Sequence, residues 1–227
     1  MTDRDAMKRR AALRAVAEVE SGMVVGLGTG TTAAVALDCL AERVAQGLKI
    51  LGIPTSEATA AQARKLGVPL TDFAAHQRID LTIDGADQVE RGTLNLVKGL
   101  GGALLREKIV ASASARMIVI ADETKLVDRL GAHTAVPVEI NPFGYPVTLA
   151  RLTEIGAAPR LRLADGAPFR TDGGNYIADC AIATIADAGA LETRLAAIVG
   201  VVESGLFVGI ADTAIIGLAE GVEVIRR

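Results

Sequence analysis

The chain has 227 residues, with 24 Lys or Arg against 27 Asp or Glu and a formal charge of −3. Half of it is hydrophobic, yet it holds only four Phe, two Tyr and no Trp. This balance excludes the disordered class and supplies neither the positive field nor the stacking aromatics of nucleic acid binding. The length suits one domain, or one domain carrying a smaller one, and the core must be built from Ala, Val, Leu and Ile. Cys39 and Cys180 stand too far apart for a disulfide framework or a metal-ligand spacing, so reduced thiols in a cytoplasmic protein are expected. His76 and His133 lie outside every motif, and no metal site is expected. The first ten residues mix both charges without an apolar run, so no export signal is expected. The longest uncharged stretch, Ser21 to Leu37, is too short for a membrane span and is broken by Gly22, Gly26, Gly28 and Gly30.

In chain order, Ala6 to Glu20 shows helical spacing, with Leu13, Val16 and Ala17 on one side. Val24 and Val25 mark a buried strand over Met23 to Leu27, followed by the turn Gly28-Thr29-Gly30-Thr31-Thr32 and an alanine-rich helix from Ala33 to Ala45. Lys49 to Ile53 repeats the strand, Pro54-Thr55-Ser56 the turn, and Glu57 to Leu66 the helix, closed by Gly67. Ile79 to Ile83 is a third strand running into Asp84-Gly85-Ala86-Asp87. Leu94 to Lys98 and the glycine-rich Gly99 to Gly102 precede a helix over Ala103 to Ala111, and Met117 to Ala121 is a further strand. Alternation of this kind predicts an α/β fold, a mostly parallel Rossmann-like sheet flanked by helices, with active groups beyond the strands' carboxyl ends.

Past Gly131 the order changes. Strands are predicted over Val136 to Ile140, Arg160 to Leu163, Asn175 to Ala181 and Val201 to Val208, with helices over Val147 to Ile155 and Ala190 to Ile198. This β-α-β-β-α-β order predicts an inserted α+β lobe of split βαβ, ferredoxin-like type. Thr213 to Ile225 would rejoin the main sheet. The expected domains are 1–130 with 209–227 as the catalytic α/β body, and 131–208 as the small lobe.

Three clusters carry candidate chemistry. The turn Gly28 to Thr32 joins a strand to a helix start, where free N–H groups and the helix dipole favour a phosphate, although a tight turn with a threonine cap fits equally. Gly28 to Ala33 also meets the Gly/Ala form of the dinucleotide fingerprint, which would imply a nicotinamide-dependent dehydrogenase. No acidic residue sits at the tip of the next strand to hold a ribose, and Glu57 lies one step into the helix. Asp84 and Asp87 flank a glycine after an apolar strand, an arrangement that serves proton shuttling or an ordinary turn. Lys98 at a strand end suits an oxyanion, and Glu107 on the next helix suits a base, unless it is merely a solvated helix charge. No hydrolase triad is supported.

Taken jointly, Gly26-Leu27-Gly28-Thr29-Gly30-Thr31-Thr32-Ala33, Thr55-Ser56-Glu57-Ala58-Thr59, Asp84-Gly85-Ala86-Asp87, Lys98 to Lys108 and Ala121-Asp122-Glu123-Thr124-Lys125 resemble the type A ribose-5-phosphate isomerase family. Pro137-Val138-Glu139 and Gly205-Leu206-Phe207 extend the resemblance nearly end to end. It implies interconversion of ribose 5-phosphate and ribulose 5-phosphate through a cis-enediol, without metal or organic cofactor. It further implies Glu107 as the base between C1 and C2, Asp84 as the proton carrier between the oxygens, Asp87 in ring opening or positioning, and Lys98 beside the enediolate. Lys8, Thr29, Gly30, Thr31, Thr32, Gly99, Gly101, Gly102 and Lys125 would hold substrate and phosphate. A small pentose 5-phosphate is then the partner, with no nucleic acid or membrane, and a homodimer or homotetramer is expected, with the aliphatic small lobe as the surface. Leu100 interrupts the family's glycine run, Gln88 replaces an acid, and Thr31 replaces a serine. A non-catalytic sugar-phosphate sensor is the alternative reading, although a single short helix before the first strand is too little for a DNA-reading module.

Overall fold

The computed structural model describes residues 3–182 and 185–227. The chain opens with α1 (Asp3–Val16), β1 (Val24–Leu27), α2 (Thr31–Ala45), β2 (Leu51–Pro54) and α3 (Glu57–Lys65). There follow β3 (Leu81–Gly85), β4 (Gln88–Glu90), β5 (Leu96–Val97), α4 (Leu104–Ser112), β6 (Met117–Asp122), a 3-10 turn (Glu123–Lys125) and β7 (Leu126–Val127). Next are β8 (Val136–Ile140), α5 (Tyr145–Glu154), β9 (Ala158–Leu161), β10 (Leu163–Ala164), β11 (Ala167–Pro168), β12 (Tyr176–Ala181) and α6 (Ala188–Ala196). The last are β13 (Val201–Ser204), β14 (Leu206–Phe207), β15 (Thr213–Gly217) and β16 (Val222–Arg226). The described residues form two compact units, one running to Ala86 with Arg106–Leu126 and Ile210–Arg227, the other Asp87–Leu105 with Val127–Gly209.

The first unit carries a six-stranded sheet in the order β16-β15-β6-β3-β1-β2. All neighbours are parallel except the closing β15–β16 hairpin. Side chains alternate across β1. Val25 and Leu27 join the cluster formed by α1, α2 and the sheet, while Val24 joins Ile53, Ile79 and Val110. The helix α1 departs from expectation, ending at Val16 and burying Ala11, Ala12, Ala15 and Val16 while Leu13 is half-exposed. Small residues let the helix lie close to its neighbours: a Cβ at Gly217 of β15 would fall 2.0 Å from the Met7 carbonyl oxygen.

The second unit realises the β-α-β-β-α-β order as an antiparallel sheet, β13-β8-β12-β9, with α5 and α6 contributing Leu152, Leu191 and Leu195 to its core. The helix α5 starts two residues before the predicted position, behind Gly144 in the left-handed region (φ 70°) and with Pro146 in its first turn. The helix α6 likewise starts early because the Asp187 carboxylate accepts from Ala190 N at 3.0 Å. The strand predicted over Val201 to Val208 is split. Its first part pairs with β8, and Leu206–Phe207 joins a second sheet beside β5. The break falls at Gly205, where a Cβ would lie 2.2 Å from the Lys98 carbonyl oxygen, so only glycine lets the chain cross there.

Cys39 and Cys180 are free and buried. Burial pushes both thiols up, that of Cys180 to about 12. No helix among the described residues is long and apolar enough to cross a membrane.

Candidate active site

In the first unit the parallel strands deliver polar groups at their carboxyl ends. After β1, Gly28 packs so closely on β3 that a Cβ would stand 2.2 Å from Asp84 Oδ1 and 2.6 Å from Asp84 Cα. The Asp84 carboxylate is wholly buried, and its Oδ1 accepts from Thr29 N at 3.1 Å and Gly85 N at 2.7 Å. Backbone donors therefore hold this acid in one orientation. Gly28→Ala is expected to lower the thermal midpoint, since overpacking against backbone costs roughly 1–3 kcal/mol, and to displace Asp84. A circular-dichroism melt that matches the parent would overturn this account of Gly28.

The Thr29 hydroxyl has hydrogen-bond partners on the segment that follows β2. It is held among Thr55 Oγ1 at 2.7 Å, Ser56 Oγ at 2.8 Å and Thr59 Oγ1 at 3.1 Å. Thr59 Oγ1 in turn donates to the Gly28 carbonyl at 3.0 Å. The segment after β2 thus anchors the turn, a role that the sequence reading did not assign. Gly30 adopts φ 103° as the N-cap of α2, provides no side-chain cap, and has open space where a Cβ would stand. Gly30 therefore offers no side-chain acceptor to the first amides of α2. Lys8 on α1 donates to Thr31 Oγ1 at 2.9 Å, which brings an ammonium to this turn. Lys125 lies outside that hydrogen-bonded set, on the 3-10 turn that follows β6, where the Asp122 carboxylate caps Thr124 N at 3.1 Å. Glu57 is paired with Arg106 at 2.9 Å and is not placed as a ribose-binding acid.

Glu107 occupies the first turn of α4 and is 4% exposed, so it is no solvated helix charge.

In the second unit Asp87 Oδ2 accepts from Leu100 N at 2.9 Å. Lys98 is 2% exposed, its N–H donates to the Gly205 carbonyl at 2.8 Å, and its ammonium stands 5.6 Å from the centroid of the Phe207 ring. Gly99 and Gly102 have φ of 100° and 84°, and at Gly102 a Cβ would meet Phe169 Cζ at 2.5 Å. Gly101 is exposed. Leu100 does not adopt a left-handed backbone and its side chain is exposed, so the loop accommodates it in place of a glycine. Gln88 is buried and its Oε1 accepts from Gly131 N at 2.8 Å, giving this departure a structural task. Sequence reasoning missed Arg162, whose guanidinium donates to the carbonyls of Gly99 at 3.2 Å and Leu100 at 2.9 Å.

The first unit thus carries a Rossmann-like parallel sheet with the Gly28 to Thr32 turn and the buried carboxylates of Asp84 and Glu107, and the second unit carries the buried Lys98, the side-chain types that proton transfer and anion stabilisation employ. The family model of ribose 5-phosphate isomerase A (phosphoriboisomerase A) matches residues 51–221. A ribose-5-phosphate isomerase A of Gloeobacter violaceus is 56% identical over 98% of this chain and 97% of its own, and one of Gluconobacter oxydans is 53% identical over 98% and 97%. Among solved structures, ribose 5-phosphate isomerase A of Methanocaldococcus jannaschii aligns with TM-score 0.95 at 39% identity, covering 98% of this chain and 99% of its own. A D-ribose-5-phosphate isomerase in complex with phospho-erythronic acid aligns with TM-score 0.96 at 38% identity over the whole of both chains. The chain belongs to the ribose 5-phosphate isomerase A family.

Proposed function

We infer that the protein interconverts ribose 5-phosphate and ribulose 5-phosphate, a step of the non-oxidative pentose phosphate pathway. One observation carries the reading beyond family membership: the three charged side chains at the family's motif positions, Asp84, Lys98 and Glu107, are all buried. Charges are rarely kept from water without a task. The phosphorylated acid bound by the relative with TM-score 0.96 supports a sugar phosphate as ligand.

The reaction moves two hydrogens and needs no external oxidant. The Glu107 carboxylate takes the proton from C2 of the open-chain aldose, and the electron pair becomes the C1–C2 double bond while charge collects on O1. The Lys98 ammonium steadies that charge. Asp84 carries a proton between the two oxygens, Glu107 returns its proton to C1, and the ketose forms. Asp87 assists ring opening or positions the substrate. Thr29, Gly30, Thr31 and Thr32 form the phosphate cradle with Lys8 and Lys125, while Gly99, Gly101 and Gly102 let backbone approach the sugar. The test is incubation with ribose 5-phosphate in deuterated water, followed by NMR. Ribulose 5-phosphate with carbon-bound deuterium is expected, and an unchanged aldose would defeat the reading and favour a sensor.

We assign the free, buried thiols to a reducing compartment, the cytoplasm. A homodimer or homotetramer is proposed, seated on the small lobe. There Phe143, Val147 and Val199 are exposed, and Asn141 N donates to the Gly200 carbonyl at 2.8 Å, which ties the two loops together. Sedimentation as a monomer at micromolar concentration would remove that surface from consideration.

A further inference from the structure

The loop Gly99 to Gly102 raises a physical problem. Two of its glycines take left-handed backbone, and glycine-rich chain is the costliest to hold in one shape. Substrate-facing backbone must nevertheless be fixed closely, since a displacement of about 1 Å in a catalytic group can cost about 100-fold in rate. The second unit supplies a support that the motifs do not include.

Arg162 follows β9, and its N–H donates to the Ile177 carbonyl at 2.8 Å. Its Nε donates to Asp179 Oδ2 at 2.9 Å and its Nη2 to Asp179 Oδ1, so one edge of the guanidinium is occupied by a carboxylate on β12. The remaining nitrogen, Nη1, spans the carbonyls of Gly99 and Leu100. The guanidinium carbon lies 5.8 Å from the Phe169 ring centroid, and that ring closes the space over Gly102. The Leu100 residue is thereby gripped at both ends, its N–H by Asp87 and its carbonyl by Arg162. Lysine gathers its donors on one nitrogen and lacks the planar fork that holds the carboxylate along one edge while a separate nitrogen reaches the two carbonyls.

We propose that Arg162, braced by Asp179 and Phe169, is a positioning residue for the isomerisation: it fixes the loop next to Lys98 and, through the Leu100 peptide, the Asp87 carboxylate. The inference rests on the isomerase reading above. The hydrogen bonds that order the Gly28 to Thr32 turn do not involve Arg162, so its loss should affect turnover more than phosphate binding.

The experiment compares the parent with Arg162→Ala, Arg162→Lys and Asp179→Asn, each checked for folding by circular dichroism and assayed well below its melting midpoint. Arg162→Ala is expected to lower kcat by about 10- to 100-fold with KM within about threefold of the parent, and Arg162→Lys to give no rescue. Asp179→Asn, which keeps the shape but weakens the brace, should fall between parent and Arg162→Ala. A folded Arg162→Ala with the kcat of an active parent overturns the positioning role and leaves the isomerase reading intact. If Arg162→Ala does not fold, Asp179→Asn decides, and parental kcat in that variant overturns the role. A parent that does not convert ribose 5-phosphate overturns the isomerase reading and this inference together.

Discussion

Glu107→Gln is expected to lower kcat by about 100- to 10,000-fold, the usual contribution of a placed general base and about 3–5 kcal/mol of barrier. The amide keeps the size and shape of the carboxylate, and the side chain is buried, so the variant should retain the parent's fold. What it loses is the negative charge and, with it, the ability to take a proton from carbon. Two readouts separate this from a general weakening. Deuterium from solvent should no longer enter the carbon-bound positions of either sugar phosphate, and protection of the protein against heat by ribose 5-phosphate should persist. A folded variant that isomerises as fast as the parent would transfer the role of base to another residue.

Lys98→Met should lower kcat by about 100- to 1,000-fold, comparable with the removal of one oxyanion donor. Buried surroundings strengthen a charge's effect on a developing anion, and Lys98 lies against the Phe207 ring with almost no access to water. Methionine is unbranched and apolar and fills a similar volume, so the ammonium is the main thing removed. In the proposed mechanism the charge grows only as the proton leaves C2, so KM should move far less than kcat. An equal loss in both would mean that Lys98 binds the ground state instead.

Much of the architecture was legible because it depends on short-range pattern. Val24 and Val25 followed by Gly28 to Thr32 and an alanine-rich stretch can hardly form anything but strand, turn and helix, and the small lobe announced itself by its order of elements. The chemistry was less legible. Asp84, Asp87 and Glu107 are ordinary turn and helix residues when read singly, and only their joint occurrence with Lys98 and the glycine turn pointed to isomerisation. The structure adds what spacing cannot carry, namely that Asp84, Lys98 and Glu107 are withdrawn from water. The hydroxyls of Thr55, Ser56 and Thr59 were read as part of a motif but given no task, since their meeting with Thr29 depends on how β1 and β2 align. Arg162 was invisible because its partners lie 17 residues away at Asp179 and 63 away at Gly99. One local signal was present: Asp165 and Gly166, both with positive φ, turn β10 into β11, the hairpin signature of Asp-Gly, and this hairpin sets Arg162 and Phe169 side by side.

Gly205 carries a consequence for how the molecule can be cut. Its amide donates to the Pro137 carbonyl at 2.7 Å and its carbonyl accepts from the main chain of Lys98, so one residue splices the ferredoxin-like sheet to the segment that carries the Lys98 ammonium. Excising residues 131–208 to obtain a minimal catalyst would remove that splice. The lobe is therefore no ornament that a protein engineer can trim, and grafts onto this scaffold should spare the crossing.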